Sequence, residues 1–490
     1  MSLSNKSIFL LLGFYLASSV GLALDHSRPK TCTSLNDFSG LNETCVAAVV
    51  KPLTEEEFRQ ALLVAKEKGL KVSMAGQQHS LGGHSLVRNG LVIDIKKYNR
   101  IIGFDSRTHE ITVQSGATWK DIQTFLDPKG FAVDVMQNFN FFTVAGSLSA
   151  NAGGLNTQSS SISSNVVSIK IMLHDGQVVT ASRHQNSELF SAVLGGYGLF
   201  GIILEATLKV TDNVLYKTKV WRMNYKQFPE FFEKNLAQNP NGMFQNYISI
   251  APKSFMQEMV VMTYEAQSEV AEVPQLKENK VEKATAPVIG WLLNKGKSDS
   301  FWKNIAWFLE YRVSTWILPE TTTRNQVMSA QMPPLAKHKN GEAFILQVYQ
   351  MPKSEFVNFL DRLRTVAQKH HAPIVTASVL HLKNDETVFL SATAGEDRFT
   401  IVLGLVQEID PEAEQKMTAF HREMIDEAIK LRGAAYLTHR MSYTPTQLRQ
   451  MYPQIDQFFA LKRKYDPNTV FSNHFYEKYG MSEEIKFQSL

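Results

Sequence analysis

The sequence predicts an α+β protein of more than one lobe, and three observations carry that prediction. The chain has 490 residues, more than a single hydrophobic core usually supports. From about Leu35 to Val210 short strand-like and helix-like segments alternate, without the strict strand–helix–strand rhythm of a doubly wound sheet. Between about Asn213 and Arg312 the pattern changes, and from Phe344 to Val406 strands and helices return.

Residues 1–23 read apart from the fold. Lys6 precedes an uncharged run from Ile8 to Leu24, with small residues at Gly21-Leu22-Ala23. This is the pattern of a secretory signal peptide, with an uncleaved anchor as the competing reading. Cys32 and Cys45 are the only cysteines. In an exported chain they either pair, for roughly 3 kcal/mol of loop-closure stabilisation, or stay as two buried thiols. They are too isolated for a zinc site, so no metal is expected. Asn42-Glu43-Thr44 is a glycosylation sequon, meaningful only in a eukaryotic secretory host.

The elements follow in order. Thr54 to Lys68 has a Thr N-cap, Glu57 three residues on and apolar residues at helical spacing, which predicts a capped amphipathic helix. Leu70 to Met74, Leu91 to Ile95 and Glu110 to Gln114 read as strands. Trp119 to Leu126 is a helix stopped at Asp127-Pro128, and Val166 to Thr180 is a hairpin turning at Asp175-Gly176. Ser268 to Glu282 is polar and aperiodic, and reads as a loop. Residues 286–309 set aromatic and aliphatic side chains beside Lys295, Lys297 and Lys303. They suit either a helix pair on a membrane surface or helices capping a substrate pocket. Further on come strands Phe344 to Tyr349, Ile374 to Leu382 and Phe399 to Val406, with helices Lys353 to Lys369 and Phe420 to Leu431. The net charge of +4 is small, and no basic block argues for nucleic acid. No later run of apolar residues is long enough to span a bilayer, so the body is expected to be soluble.

Three segments carry chemistry. Val72 to Ser85 passes from an apolar run into a loop with Gly76, Gly82 and Gly83 and the histidines His79 and His84. Glycines let backbone N–H groups approach an anionic ligand closely, although a polar strand-to-strand turn would read the same way. Val144 to Gly154 has only Val144, Leu148 and Asn151 as large side chains, which suits a backbone laid against a flat ligand and its diphosphate. Gly196-Tyr197-Gly198-Leu199-Phe200-Gly201 satisfies the dinucleotide fingerprint, but a helical pattern precedes it and a strand follows. A Rossmann NAD site needs the reverse order, and is disfavoured.

Thr143 to Gly154, the Asp175-Gly176 turn, Glu188-Leu189-Phe190 and Gly195 to Gly201 occur in an order and spacing that resembles a known flavin domain. It is that of the vanillyl-alcohol oxidase, or PCMH-type, FAD-binding oxidoreductases. Lys464 to Asn473 looks like the segment by which that family returns to close the flavin site. The chain is most similar to the aldonolactone, sugar-alcohol and decaprenylphosphoryl-ribose oxidases. The resemblance implies a PCMH-type FAD-binding domain of two α+β subdomains over 24–212. It also implies an α+β cap domain with a mainly antiparallel sheet over 213–435, and a return segment over 436–490.

Carried over, Gly76, Gln77, Gln78, His79 and Ser80 would line the pyrophosphate, with His79 as covalent anchor to the flavin 8α-methyl. Ala145, Gly146, Ser147, Ser149, Ala152 and Gly154 would line flavin and diphosphate; Gly198, Gly201 and Ile202 would face the isoalloxazine or adenosine, and Asn473 would close the site. Gln77 and Gln78 replace the family's arginine or glycine, and Gly153 falls where several relatives carry histidine. The resemblance further implies His439 as a base, Arg440 as a partner for alkoxide or phosphate, and two more catalytic candidates: His381, on a strand where relatives carry arginine or lysine, and Tyr349, on another strand that faces the flavin in relatives. Val348 stands near where the sugar-alcohol oxidases carry glutamate, which weakens a simple polyol reading. His84, His174 and His184 read as loop or surface histidines.

The activity implied is oxidation of an alcohol group of a carbohydrate-like or polyol substrate by an exported enzyme, with oxygen reoxidising the flavin. A dehydrogenase feeding a membrane acceptor such as quinone or cytochrome is the alternative, as is a flavin-binding protein without catalysis.

Overall fold

The computed structural model describes residues 32–481, except 160, 240, 268–272, 278–286, 289–290, 293–294, 296–298, 331–340 and 394. The signal peptide and most of the Ser268 to Glu282 loop lie outside the described residues.

The described chain enters through a hairpin of β1 (Thr33–Leu35) and β2 (Thr44–Val46), closed by a Cys32–Cys45 disulfide. A small parallel sheet follows, in which β3 (Ala48–Val50) and β4 (Val72–Ala75) flank β5 (Leu91–Asp94). Helix α1 (Glu55–Glu67) crosses from β3 to β4. Thr54 Oγ1 accepts from the Glu57 N–H at 3.3 Å, and Glu57 Oε2 reaches back to the Leu53 N–H at 2.8 Å. Its apolar face, Phe58, Leu62 and Ala65, is buried.

The next sheet is antiparallel. It holds β6 (Ile101–Asp105), β7 (Glu110–Gln114), β8 (Phe131–Val133), β9 (Val166–Met172), β10 (Val178–Ser182) and β11 (Ile202–Asp212), in the order β10-β9-β11-β7-β6 with β8 also on β11. Helices α2 (Trp119–Leu126), α3 (Val144–Ala150) and α4 (Ser187–Val193) belong to this region. The fully buried Trp119 ties α2 to α3, its Nε1 donating to Ser147 Oγ at 3.0 Å.

Two further antiparallel sheets form the second half. One orders as β13 (Met243–Ile248), β14 (Glu258–Ala266), β12 (Leu215–Asn224) and β15 (Thr321–Thr323); α5 (Phe228–Asn235) and α6 (Ser300–Ile317) belong to it. The short helix α7 (Arg324–Val327) follows β15. The other orders as β17 (Ile374–Leu382), β18 (Arg398–Glu408), β16 (Glu342–Pro352) and β19 (Ala434–Ala435). Helices α8 (Phe356–Lys369) and α9 (Pro411–Lys430) pack on each other and on β16. Asn246 stitches the two sheets edge to edge: its Nδ2 donates to the Val379 carbonyl at 2.6 Å and its Oδ1 accepts from the Val379 N–H at 2.8 Å. A side-chain amide thus reproduces the donor–acceptor pair of a missing ladder rung. The whole is α+β, with antiparallel sheets predominating.

After α10 (Pro445–Met451) and α11 (Ile455–Tyr465) the chain runs back to the first sheet. The Val72 N–H donates to the Val470 carbonyl at 2.7 Å, and the Ser472 N–H donates to the Val72 carbonyl at 2.9 Å. This parallel contact sits on β4, immediately before the Gly76 loop. Helix α12 (His474–Tyr479) then ends the described chain. No helix among the described residues is long and apolar enough to cross a membrane.

Candidate functional site

The Gly76 loop is held from both sides. The Asp37 carboxylate accepts from the Gly83 N–H at 2.8 Å, from Ser39 and from Asn42 Nδ2 at 2.7 Å. Asn42 Nδ2 also donates to the Leu81 carbonyl at 3.0 Å, so the sequon's amide is engaged in fixing this loop. Burial pushes the Asp37 carboxyl up, against the pull of these donors. Gln78 adopts a left-handed backbone (φ 56°), and its carbonyl accepts from the Phe38 N–H at 2.8 Å. Gly76 is required by contact: a Cβ there would lie 2.3 Å from Thr143 Oγ1.

The other two small-residue segments meet the same place. The Gly195 N–H donates to the Leu148 carbonyl and the Tyr197 N–H to the Ser149 carbonyl, each at 2.9 Å, so the 195–201 turn is bonded along α3. Gly198 (φ 74°) and Gly201 (φ 148°) take conformations that side chains rarely adopt. Between these segments and the two later sheets lies a cavity of about 800 Å³, within the size range of small-molecule and cofactor sites.

Among the expected site residues, Gly76, Gln77, Gln78, His79, Ser80, Ala145, Gly146, Ser147, Ser149, Ala152, Gly198, Gly201, Ile202 and His439 line this cavity. Gly154, Asn473, Arg440, His381 and Tyr349 do not. Gly154 sits behind the wall, where a Cβ would lie 3.0 Å from the Met136 carbonyl. Asn473 caps α12 and donates to the Tyr197 carbonyl at 2.8 Å, which places it in support of the turn. Arg440 pairs with Glu414.

The placement of His381 and Tyr349 follows from strand parity. Phe344, Leu346, Val348 and Gln350 of β16 line the cavity, together with Ser378, Leu380 and Leu382 of β17 and Thr400 and Val402 of β18. Tyr349 and His381 have the opposite parity and face the helices. The Tyr349 ring packs 5.2 Å from Phe359. His381 donates from Nδ1 to the Thr157 carbonyl at 2.9 Å, and its Nε2, 3.6 Å away, holds the Asp397 carboxyl down at about 2.

His79 lies nearly parallel to Phe38, ring centroids 3.9 Å apart, with Phe142 edge-on at 5.0 Å. His439 is buried, its Nδ1 has no hydrogen-bond partner among the described residues, and burial pushes its imidazole down to about 3. A pKa suited to a base near neutrality was the expectation; desolvation of the charged form removes it, so the ring is neutral, with one ring nitrogen a donor and the other an acceptor. Thr143 and Thr400 also line the cavity, and their buried Oγ1 atoms have no hydrogen-bond partner among the described residues. Unpartnered polar atoms around a glycine-lined cradle are what a polar, flat cofactor would satisfy, so the residues fit FAD.

Sequence reasoning missed Tyr436, Thr438, Gln350, Gln245, Tyr264 and Glu310, all of which line the cavity. Tyr436 hydrogen-bonds the Ala150 carbonyl from across the site. Strand parity was the one signal that could have found Gln350, but both faces of β16 are apolar.

The buried histidines give one expectation for stability. Burial holds His84, His421 and His439 at about 3 and His474 at about 4, whereas in the unfolded chain each titrates near 6.5. Below that value the unfolded chain takes up protons that the folded chain refuses. Stability is therefore full above about pH 6.5 and falls on acidification towards about pH 3, by up to about 1.4 kcal/mol per pH unit for each histidine. Urea titrations at pH 7, 6 and 5 should show a falling midpoint; a flat profile would contradict neutral buried rings.

Comparison with known proteins agrees with this geometry. Residues 46–182 match the FAD binding domain family, and residues 206–479 match the D-arabinono-1,4-lactone oxidase family. An uncharacterized oxidoreductase of Rhodococcoides fascians is 27% identical over 43% of this chain and 48% of its own length. Cytokinin dehydrogenase 2 of Arabidopsis thaliana is 28% identical over 48% of this chain and 47% of its own. The chain thus spans about half the length of those two relatives. L-gulono-1,4-lactone dehydrogenase of Mycobacterium tuberculosis is 20% identical over 88% of this chain and 95% of its own. The second family covers more than half of the sequence and the first falls on the lobe that carries the glycine loops: the chain belongs to the D-arabinono-1,4-lactone oxidase family of FAD-dependent oxidoreductases.

Proposed function

We propose that this protein oxidises a CH–OH group of a carbohydrate-like small molecule, and that the cavity holds FAD on its first-lobe side and substrate on its sheet side. The observation that carries this reading is the convergence of three separate glycine-rich segments and His439 on one cavity. FAD, when bound, supplies the hydride acceptor. The backbone of Gly76 to Ser80 would hold the diphosphate, and His79 would tether the ring. His439 would accept a hydrogen bond from the substrate hydroxyl, and Tyr436 and Thr438 would fix its position. In this reading 24–212 is the FAD-binding domain, 213–435 the cap and 436–490 the returning segment.

A second reading, electron transfer to an acceptor other than oxygen, is favoured by the dehydrogenase of M. tuberculosis, which aligns along most of the chain. Export from the cell is supported by the Cys32–Cys45 disulfide. Contact with a membrane surface is supported by Trp291, Phe301, Phe308 and Leu309, large apolar side chains left exposed.

One experiment tests these together. The purified chain is given aldonolactones and polyols, with and without oxygen, beside anionic vesicles carrying a quinone. Substrate-dependent bleaching of the flavin with peroxide release supports the oxidase; reduction of quinone alone, with co-sedimentation, supports the membrane-linked dehydrogenase. A flavin that no substrate bleaches removes both and leaves a binding protein.

A further inference from the structure

The sheet that carries β12, β13 and β14 presents one face to the cavity. Thr218 pairs with Tyr264, and Met262 lies between Val220 and Gln245; Thr218, Gln245, Met262 and Tyr264 line the cavity. Val260 and Arg222 continue the same face by strand parity. Helix α6 lies across that face. Trp307 is buried against Val260 and Ala251, its Nε1 donates to Glu258 Oε2 at 2.7 Å, and Arg222 donates to the Tyr311 carbonyl. One turn beyond Trp307, Glu310 lines the cavity.

Glu310 is the only Asp, Glu, Lys or Arg among the described residues lining that space. We infer that Glu310 is the recognition carboxylate of the substrate chamber, and that the carbohydrate-like substrate is amphipathic and carries a cationic, ammonium-type group remote from the reacting carbon. The alcohol rests on the oxidation reading above; the cationic group rests on the chamber itself. An anionic substrate would be desolvated there with no cation of the described chain to meet it. A cation meets one carboxylate in a cavity that Tyr247 and Tyr264 also line, and aromatic rings attract cations. Leu346, Val348 and Leu380 on the facing sheet supply an apolar wall for the rest of the molecule. Burial pushes the Glu310 carboxyl up to about 7, and among the described residues no Lys or Arg lines the cavity beside it. A ligand cation would supply the counter-charge that the described lining lacks.

The test is calorimetric titration of the full chain with three probes of equal length: a terminal amino-octanol, octanol and a terminal hydroxyoctanoate. The amino-octanol should bind at least about ten-fold more tightly than the hydroxyoctanoate. In Glu310→Gln the preference should shrink to within about two-fold, and in Glu310→Lys it should reverse. Flavin content of each variant reports that the fold is kept. No amine preference in the wild type, or one that survives in Glu310→Gln, overturns the inference. If the preference is present and lost as expected while no alcohol bleaches the flavin, Glu310 recognition stands and the oxidation reading fails. Bleaching by all three alcohols without preference overturns the role of Glu310 alone.

Discussion

Asp466→Ala is expected to destabilise the protein by about 3–5 kcal/mol and to lower its flavin content. Lys462 and Asp466 are both fully buried and paired with each other. Burial draws the Lys462 ammonium down to about 8, held up only by the Asp466 carboxylate. That carboxylate also accepts from the Val470 N–H at 2.9 Å and the Phe471 N–H at 2.8 Å. Removing it leaves an ammonium and two amides buried without partners, which costs far more than the loss of a surface pair. The same turn positions Val470 and Ser472 against Val72, four residues before Gly76. Loss of stability should therefore be accompanied by a looser cofactor loop. Thermal unfolding and flavin absorbance, measured on one sample, check both parts. Asp466→Asn keeps an acceptor without the charge and should fall between. A melting temperature unchanged to within a degree would refute the account.

His79→Ala is expected to fold and bind FAD, but to release all of it on denaturation and washing, whereas the wild-type precipitate stays yellow. His79 lines the cavity from the loop that Asp37 and Asn42 hold in place, with its ring fixed by Phe38 and Phe142. The stability cost should be that of the lost ring contacts, about 0.5–1.5 kcal/mol each. Wild-type flavin that washes out as freely as the variant's would end the tether while leaving the FAD site untouched.

Much of the first lobe was legible because its features are local demands. Gly76, Gly198 and Gly201 answer to a close approach or a left-handed backbone, and such requirements leave a residue type in the chain. The helix–turn–strand order around Gly196 to Gly201 likewise excluded the NAD reading, and the sequence here folds as α4, turn and β11. The long strands of the second half were legible in place but not in orientation. From Gln347 onwards β16 is buried on both faces, so an alternating pattern had no polar side to mark there. Tyr349 and His381 therefore carried equal claims with Val348 and Leu380, and the register gave the cavity to the latter pair.

The sequence by itself determined the fold class, the glycine cradle and His79 on it, because backbone geometry and element caps are dictated by neighbours within a few residues. Only the tertiary structure decided which strand face meets the cavity, that Arg440 is taken by Glu414, that burial neutralises His439, and that Glu310 is the one Asp, Glu, Lys or Arg side chain among the described residues lining the chamber. Those are properties of desolvation and of contacts between elements far apart in the chain, and no local pattern encodes them.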